Sequence, residues 1–211
     1  MTPNDFLFLL SGATVTLALT AWAVFFGTLL GVLIGWLRTI VPVWVNAPTG
    51  FVLDVLRSVP LIIQLVVANA FKPMVHLNVS VFTLCCIVLS TYTAAFLSEI
   101  VRGALLSVPA VTRRAARSLG MSYWQDLAHI VFPISLRVGL SSWIGLVLSV
   151  LKDSALVLWL GVIELLKSSQ ILVLRLQEPL EILMLTGLIY FVMSFPLSQL
   201  GMRLERRWQK Q

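Results

Sequence analysis

"FLFLLSGATVTLALTAWAVFFGTLLGVLIGWL", residues 6–37, runs for 32 residues without one charged side chain. About 20 apolar residues suffice for a helix to cross a bilayer. The run is too long and too continuous for an alternating ten-residue barrel strand. In lipid each backbone polar group needs an internal partner, and a lone apolar segment finds one only as an α-helix. Four further apolar runs follow, so the chain reads as one all-α integral membrane domain over residues 1–211 with five transmembrane helices. They are placed at approximately 7–36, 52–71, 79–98, 138–163 and 180–201. Composition agrees: 59% of residues are hydrophobic and 11% charged, against a usual charged share of about 25%. Mean hydropathy is +0.97.

The basic residues orient the helices. The loops after the first and third spans, with the C-terminal tail and the flanks of neighbouring spans, hold Arg38, Arg57, Arg102, Arg113, Arg114, Arg117, Arg137, Arg203, Arg206, Arg207 and Lys210. The opposite side holds Lys72, Lys167 and Arg175. Cytoplasmic loops carry the excess of Lys and Arg. The N-terminus is therefore expected outside and the C-terminus in the cytoplasm, as an odd number of spans requires. The net charge of +6 is a topology signal, and no nucleic-acid partner is expected. "MTPND" lacks the basic start of a secretory signal peptide. Cys85 and Cys86 are adjacent in an apolar run and form neither a disulfide framework nor a zinc spacing.

The long loop between the third and fourth spans, approximately 107–133, carries three arginines close together, Arg113, Arg114 and Arg117. "AVTRRAARSLG" (110–120) reads as a short basic helix, because Ala and Arg favour helix and Gly120 suits a C-terminal stop. "SYWQDLAHIVFP" (122–133) reads as a second helix, capped by Ser122, with Pro133 ending it or starting the next span. Two short helices there make a knob for a soluble partner. The alternative is a basic loop resting on anionic membrane lipid.

The spacing A-A-x3-G-x9-I-x-x-P, set by Ala115, Ala116, Gly120, Ile130 and Pro133, resembles the "EAA" loop of permease subunits of bacterial ABC importers. Other stretches narrow the likeness to the polar amino-acid (histidine/glutamine-type) permeases. They are "LRSVPLIIQL" (56–65), "YTAAFLSEIVRGALLSVP" (92–109, with Glu99, Arg102 and Gly103 matching), "LKDSALVLWLGVIELL" (151–166) and "YFVMSFPLSQLGMRLERR" (190–207). The resemblance covers about residues 11–207. It implies a multi-pass subunit of the bacterial inner membrane that couples to ATPase subunits through Arg114, Ala115, Ala116, Gly120, Ile130 and Pro133. It implies as partners a second permease chain, like or unlike, two ATPase subunits and an extracytoplasmic amino-acid-binding protein. No cofactor is expected in this chain, since ATP and Mg would be bound by the partner ATPase. One departure is marked: where the family has Gly and Glu, this chain has Val111 and Arg114. The other half of a heterodimer could keep the usual loop.

Candidates for the substrate path are Lys152, Asp153, Ser154, Arg57, Gln64 and Glu99. At about 1.5 Å per residue, Lys152 lies about 20 Å into a span that starts near residue 138. Charges at that depth usually face a cavity or each other. A zwitterionic amino acid needs one cation and one anion to meet it. Consecutive helical residues diverge by about 100°, so one of Lys152 and Asp153 faces the path. A structural ion pair is the alternative. Glu99 and Arg102 are one turn apart and can pair, either to steady the exit into the loop or to meet substrate. Arg57, Pro60 and Gln64 mark a bent span of the kind seen at transporter sites, or a snorkelling arginine beside a tolerated kink.

Gly27, Gly31 and Gly35 have the small-xxx-small spacing of close helix packing. Most tryptophans lie near the ends of the proposed spans, as interfacial anchors should. There is no G-x-x-x-x-G-K-[ST] phosphate loop, no Ser/His/Asp grouping and no metal cluster, and neither His76 nor His129 is assigned a metal. The chain is expected to be a transport subunit and not itself an enzyme. An ion-gradient-driven transporter or channel, or a membrane scaffold, are the competing classes. Neither needs an ATPase partner.

Overall fold

The computed structural model describes residues 1–76 and 78–208, and Lys210, counted in the charge bias, lies outside them. Nine α-helices are described: α1 (Pro3–Ile40), α2 (Val43–Ser58), α3 (Leu61–Phe71), α4 (Val81–Leu106), α5 (Ala110–Ser118), α6 (Tyr123–Asp126), α7 (Phe132–Asp153), α8 (Leu165–Leu176) and α9 (Pro179–Trp208). A π-helical turn, Leu127–Val131, joins α6 to α7, and a 3₁₀ segment, Ser154–Leu160, extends α7. No strand occurs among the described residues. Four helical stretches are long and apolar enough to cross a membrane, and a fifth is if the bent pair α2 and α3 is one span.

α1 starts on a capping box, in which the Thr2 backbone N–H and side-chain O–H both donate to the Asp5 carboxylate. It packs along α4 through the three glycines. A Cβ at Gly27 would sit 2.5 Å from Thr93 Cβ, one at Gly31 2.7 Å from Leu97 Cβ, and one at Gly35 2.5 Å from the Ser98 carbonyl oxygen. The spacing of four keeps these contacts on one face, and the missing side chains let the backbones close. Around this seam one apolar core joins Leu19 and Ala23 of α1 with Leu61 and Leu65 of α3, Leu89 and Leu97 of α4, and Val150 of α7. A second core joins Leu9 and Ala13 to Leu165 and Leu172 of α8 and Ile182 of α9. α1 thus touches both cores, its first turns on one and its middle on the other.

Three expected boundaries are corrected. The second span, expected at 52–71 with a bend or a tolerated kink at Pro60, is two helices that start at Val43 and meet at 103°. Pro60 has no N–H to donate and pushes its predecessor out of the helical region; Val59 is extended, at φ −80° and ψ 127°. The fourth span, expected at 138–163, begins at Tyr123 and runs unbroken to Leu160. Pro133 does not stop it. The preceding turn is π-helical, with the Phe132 N–H donating to the Leu127 carbonyl, and this wider turn carries the helix past the proline. The third correction is α8, which falls in a segment with no expected element. It is one short helix whose first turn is held by a fully buried carboxylate, Glu164.

Gly35→Leu places side-chain atoms on the Ser98 backbone, which cannot move aside. It is expected to lower stability by about 1–3 kcal/mol, read as a lower melting temperature in detergent. Gly145→Ala, where an added Cβ meets nothing within 4 Å, should leave the melting temperature unchanged or raise it.

Candidate functional site

Three groups of residues hold the chemistry. The first is an ion cluster at the junction of α1, α2 and α4. Glu99 is its centre: Arg38 Nη1 donates to Glu99 Oε2 at 3.0 Å, Arg102 donates to Glu99 Oε1, and Arg57 Nη2 lies 4.0 Å from Glu99 Oε2. Arg57 also pairs with Asp54, and Arg38 Nε donates to Asn46 Oδ1 at 3.0 Å. Gly50 leaves room for Arg38, whose Nη2 lies 3.0 Å from where a Cβ would be. Three guanidinium groups around the Glu99 carboxylate, itself 29% exposed, with Asp54 beside Arg57, make a net positive knot. The structure therefore brings Arg57 and Glu99 together and adds Arg38, which sequence reasoning used only to orient the helices. Nothing local in the sequence marks Arg38, because its partner is 61 residues away.

Gln64 goes elsewhere. Its Nε2 donates to the Leu56 carbonyl at 2.7 Å and the Val59 carbonyl at 2.8 Å. Those carbonyls end α2, and the Pro60 break would leave them open. The amide closes the kink from the far side of the proline.

The second group is the end of α7. Lys152 is exposed, Asp153 is partly buried with its Oδ2 accepting from Ser149 Oγ at 3.2 Å, and Ser154 is fully buried, its Oγ donating to the Leu151 carbonyl. Among the described residues neither Lys152 nor Asp153 joins an ion pair. Past the 3₁₀ segment the chain turns at Gly161, φ +83°, a left-handed conformation that glycine adopts freely. It then reaches Glu164, whose Oε2 accepts from the Leu166 N–H at 2.8 Å and from Tyr190 Oη at 3.1 Å. Its Oε1 accepts from the Lys167 N–H at 2.7 Å. Thr16 Oγ1 accepts from the Leu165 N–H at 3.2 Å. A buried carboxylate on the free N–H groups of a helix N-terminus is favourable on hydrogen-bond and dipole grounds alike. At its other end α8 is tied to α1 by an Arg175–Asp5 ion pair. Glu164 closes the quoted stretch 151–166 and is a hub that the charge pattern alone did not single out.

The third group is the knob at 107–133. α5 ends in a Schellman turn: the Met121 N–H donates to the Ala116 carbonyl at 3.2 Å and the Gly120 N–H to the Arg117 carbonyl at 3.0 Å, with Gly120 at φ +84°. Ser122 and Gln125 then form a capping box for α6. Ala116 is buried, Arg114, Ala115 and Gly120 are exposed, and Ile130 and Pro133 are partly buried along the π turn and the start of α7. Asp126 is fully buried, with its Oδ2 accepting from Arg113 Nε at 3.1 Å. That pair fastens α5 to α6. No group of His, Cys, Asp and Glu able to hold a metal occurs among the described residues.

Residues 27–210 match the family described as "Binding-protein-dependent transport system inner membrane component". The chain is 29% identical over 201 residues to the glutamine transport system permease protein GlnP of Escherichia coli strain K12, covering 94% of this chain and 92% of that one. It is 30% identical over 188 residues to the probable amino-acid ABC transporter permease protein YckA of Bacillus subtilis strain 168, covering 89% and 83%. Its fold superposes with a TM-score of 0.88 on a chain from a crystal structure of an amino acid ABC transporter with histidines. Identity there is 27%, and 98% of this chain and 100% of that chain are covered. A chain of the inward-facing MetNI methionine ABC transporter superposes with a TM-score of 0.81 at 21% identity, covering 98% and 99%, and shares the fold.

Arg38→Met and Glu99→Gln should not be additive in stability. A double-mutant cycle read by denaturant or thermal unfolding is expected to give a coupling of about 0.5–3 kcal/mol. A coupling of zero would remove the pair from the structural account of this junction.

Proposed function

The chain belongs to the family of inner-membrane components of binding-protein-dependent transport systems, and from that membership we propose how it works as the permease subunit of an ATP-driven amino-acid importer. The substrate class rests on the relatives named for glutamine and amino acids. Eleven basic residues against three support a cytoplasmic C-terminus and an outside N-terminus. On that orientation the knob and the Glu99 cluster face the cytoplasm, and the α8 end faces outside. The chain then sits as a multi-pass protein of the bacterial inner membrane. Five spans in one chain enclose little, so a second permease chain, identical or not, completes the pathway.

The observation that carries the coupling step is the continuity of Tyr123–Leu160. The second half of the knob, from Tyr123, and the fourth span are one helical rod. At about 1.5 Å per residue, Lys152 is about 44 Å along it from Tyr123. An ATPase subunit that grips the knob moves Ile130 and, along the rod, the region of Lys152 and Asp153, while Ala115, Ala116 and Gly120 act on the rod through the Gly120 turn and the Arg113–Asp126 pair. ATP and Mg belong to that ATPase, and their binding closes two such subunits on each other. An extracytoplasmic binding protein delivers the amino acid at the opposite face.

Of Lys152 and Asp153, which diverge by about 100° on the helix, one meets the substrate in this reading. An ammonium and a carboxylate that join no ion pair among the described residues are costly at membrane depth unless they face water, substrate or the second chain. Lys152 suits an α-carboxylate and Asp153 an α-ammonium, with Ser154 supporting the turn behind them. The Glu99 cluster stands at the cytoplasmic exit. Its Arg57 and Glu99 contact the leaving amino acid, and Gln64 keeps the bend beside them closed.

Affinity purification of the chain from its native membrane in mild detergent should bring down an ATPase subunit in near-equal amount, together with a second permease chain. A preparation free of ATPase, reproduced after crosslinking, would end the importer reading. In vesicles holding the assembled transporter, Asp153→Asn removes one charge-assisted contact of about 1.5–3 kcal/mol. Uptake should fall about tenfold or more. Unchanged uptake takes Asp153 off the path.

A further inference from the structure

The knob holds more positive charge than its own fold uses. Residues 107–133 contain Arg113, Arg114, Arg117 and one acid, Asp126. Asp126 is fully buried and bound to Arg113, so that pair is internal. Arg114 is exposed, and its Nε reaches only the Ala110 carbonyl of its own helix, at 3.4 Å. Arg117 is exposed as well, its guanidinium 5.9 Å from the centre of the Tyr123 ring. Neither joins an ion pair among the described residues. Three positions apart on a helix, they share one side of α5.

Apolar and concave features accompany the charge. Leu119, at the tip of the turn, is 85% exposed, and Val111 and Trp124 are exposed at 69% and 64%. Beside Leu119 lies a notch of about 340 Å³, lined by Leu119, Gly120, Met121, Gln125 and His129. Arginine and large apolar side chains around a shaped recess compose a protein-binding patch. Two charges alone hold a lipid surface weakly, and a bilayer has nothing that would enter the notch.

We propose that the knob is built for an acidic socket: the ATPase subunit that pairs with this chain presents carboxylates to Arg114 and Arg117, and seats Leu119 in an apolar recess between them. The proposal rests on the reading of this loop as the ATPase-docking element. A neutral or basic socket would desolvate two guanidinium groups without a counter-charge, which opposes association. The polarity is the reverse of a loop with Glu at position 114. It therefore also selects against an ATPase whose socket is basic.

The assembled complex, purified from membranes carrying the full chain, tests this. A benzophenone side chain in place of Ser118, an exposed neighbour on α5, should crosslink to an ATPase segment containing Asp or Glu. Raising salt from about 0.05 to 0.5 M should strip the ATPase progressively, because exposed ion pairs are screened over that range. Arg114→Glu with Arg117→Glu should reduce retained ATPase about tenfold or more, while Arg114→Lys with Arg117→Lys keeps it. Reversing the crosslinked carboxylates to Lys should restore binding to the Glu variant. Full retention by a folded Glu variant, or a crosslink to lipid or to a segment without acids, overturns the acidic socket. The crosslink is made with both arginines in place, so it decides the matter even if the charge-reversed chain fails to fold. A wild-type complex with no ATPase at all overturns the docking reading itself, and this proposal with it.

Discussion

Inside hydrocarbon no water can complete a backbone hydrogen bond, and each open N–H or C=O costs several kcal/mol. At three departures from regular helix among the described residues, such bonds are completed within the chain. At Pro60 the loose carbonyls of α2 receive the Gln64 amide. At the start of α8 the loose N–H groups of Leu166 and Lys167 receive the Glu164 carboxylate, and that of Leu165 receives Thr16 Oγ1. At Pro133 the chain avoids a break by widening into a π turn. Gln64 and Glu164 are thus placed where the backbone is interrupted, while Ser90, Thr93 and Thr186 bond carbonyls of their own uninterrupted helices.

The same constraint divides the molecule into parts that can and cannot move separately. The glycine seam of α1 and α4 is backbone against backbone and leaves no slack. The Glu99 cluster bolts α2 to that pair at one end. Toward the other end α8 is clamped to α1 by the Arg175–Asp5 pair and to α9 by the Tyr190–Glu164 bond. Between the seam and the clamp runs the rod from Tyr123 to Leu160. The C-terminal end of the rod is set by Gly161, where a left-handed turn separates it from α8.

Much of this was legible in the residues. The apolar run 6–37, the basic bias of one side, the A-A-x3-G-x9-I-x-x-P spacing and the four-residue glycine repeat are local patterns. They name helices, a knob and a packing face before any contact is known, and the basic bias adds an expected orientation. Glu99 and Arg102, one turn apart, pair as helical geometry suggests. The Arg38–Glu99 contact and the Thr16–Glu164–Tyr190 group were not legible, since their members are 61, 148 and 26 residues apart. A hydropathy pattern does not encode which distant polar groups meet.

The sequence by itself determined that the chain crosses a membrane as helices, because apolar length and the demand for internal hydrogen bonds admit no other form. It also determined the family, because motif spacing is a property of one dimension. Only the tertiary structure decided what each proline does. Pro60 bends its span by 103°, while Pro133 is passed over. A proline removes the same N–H at both places, and the outcome depends on what surrounds it: an amide one turn on to close the gap, or room for a wider turn. The structure also decided that Arg113 is held inward by Asp126 and that Arg114 and Arg117 are left facing out. Side-chain direction on a short helix is set by what the helix packs against, and no spacing rule specifies that partner.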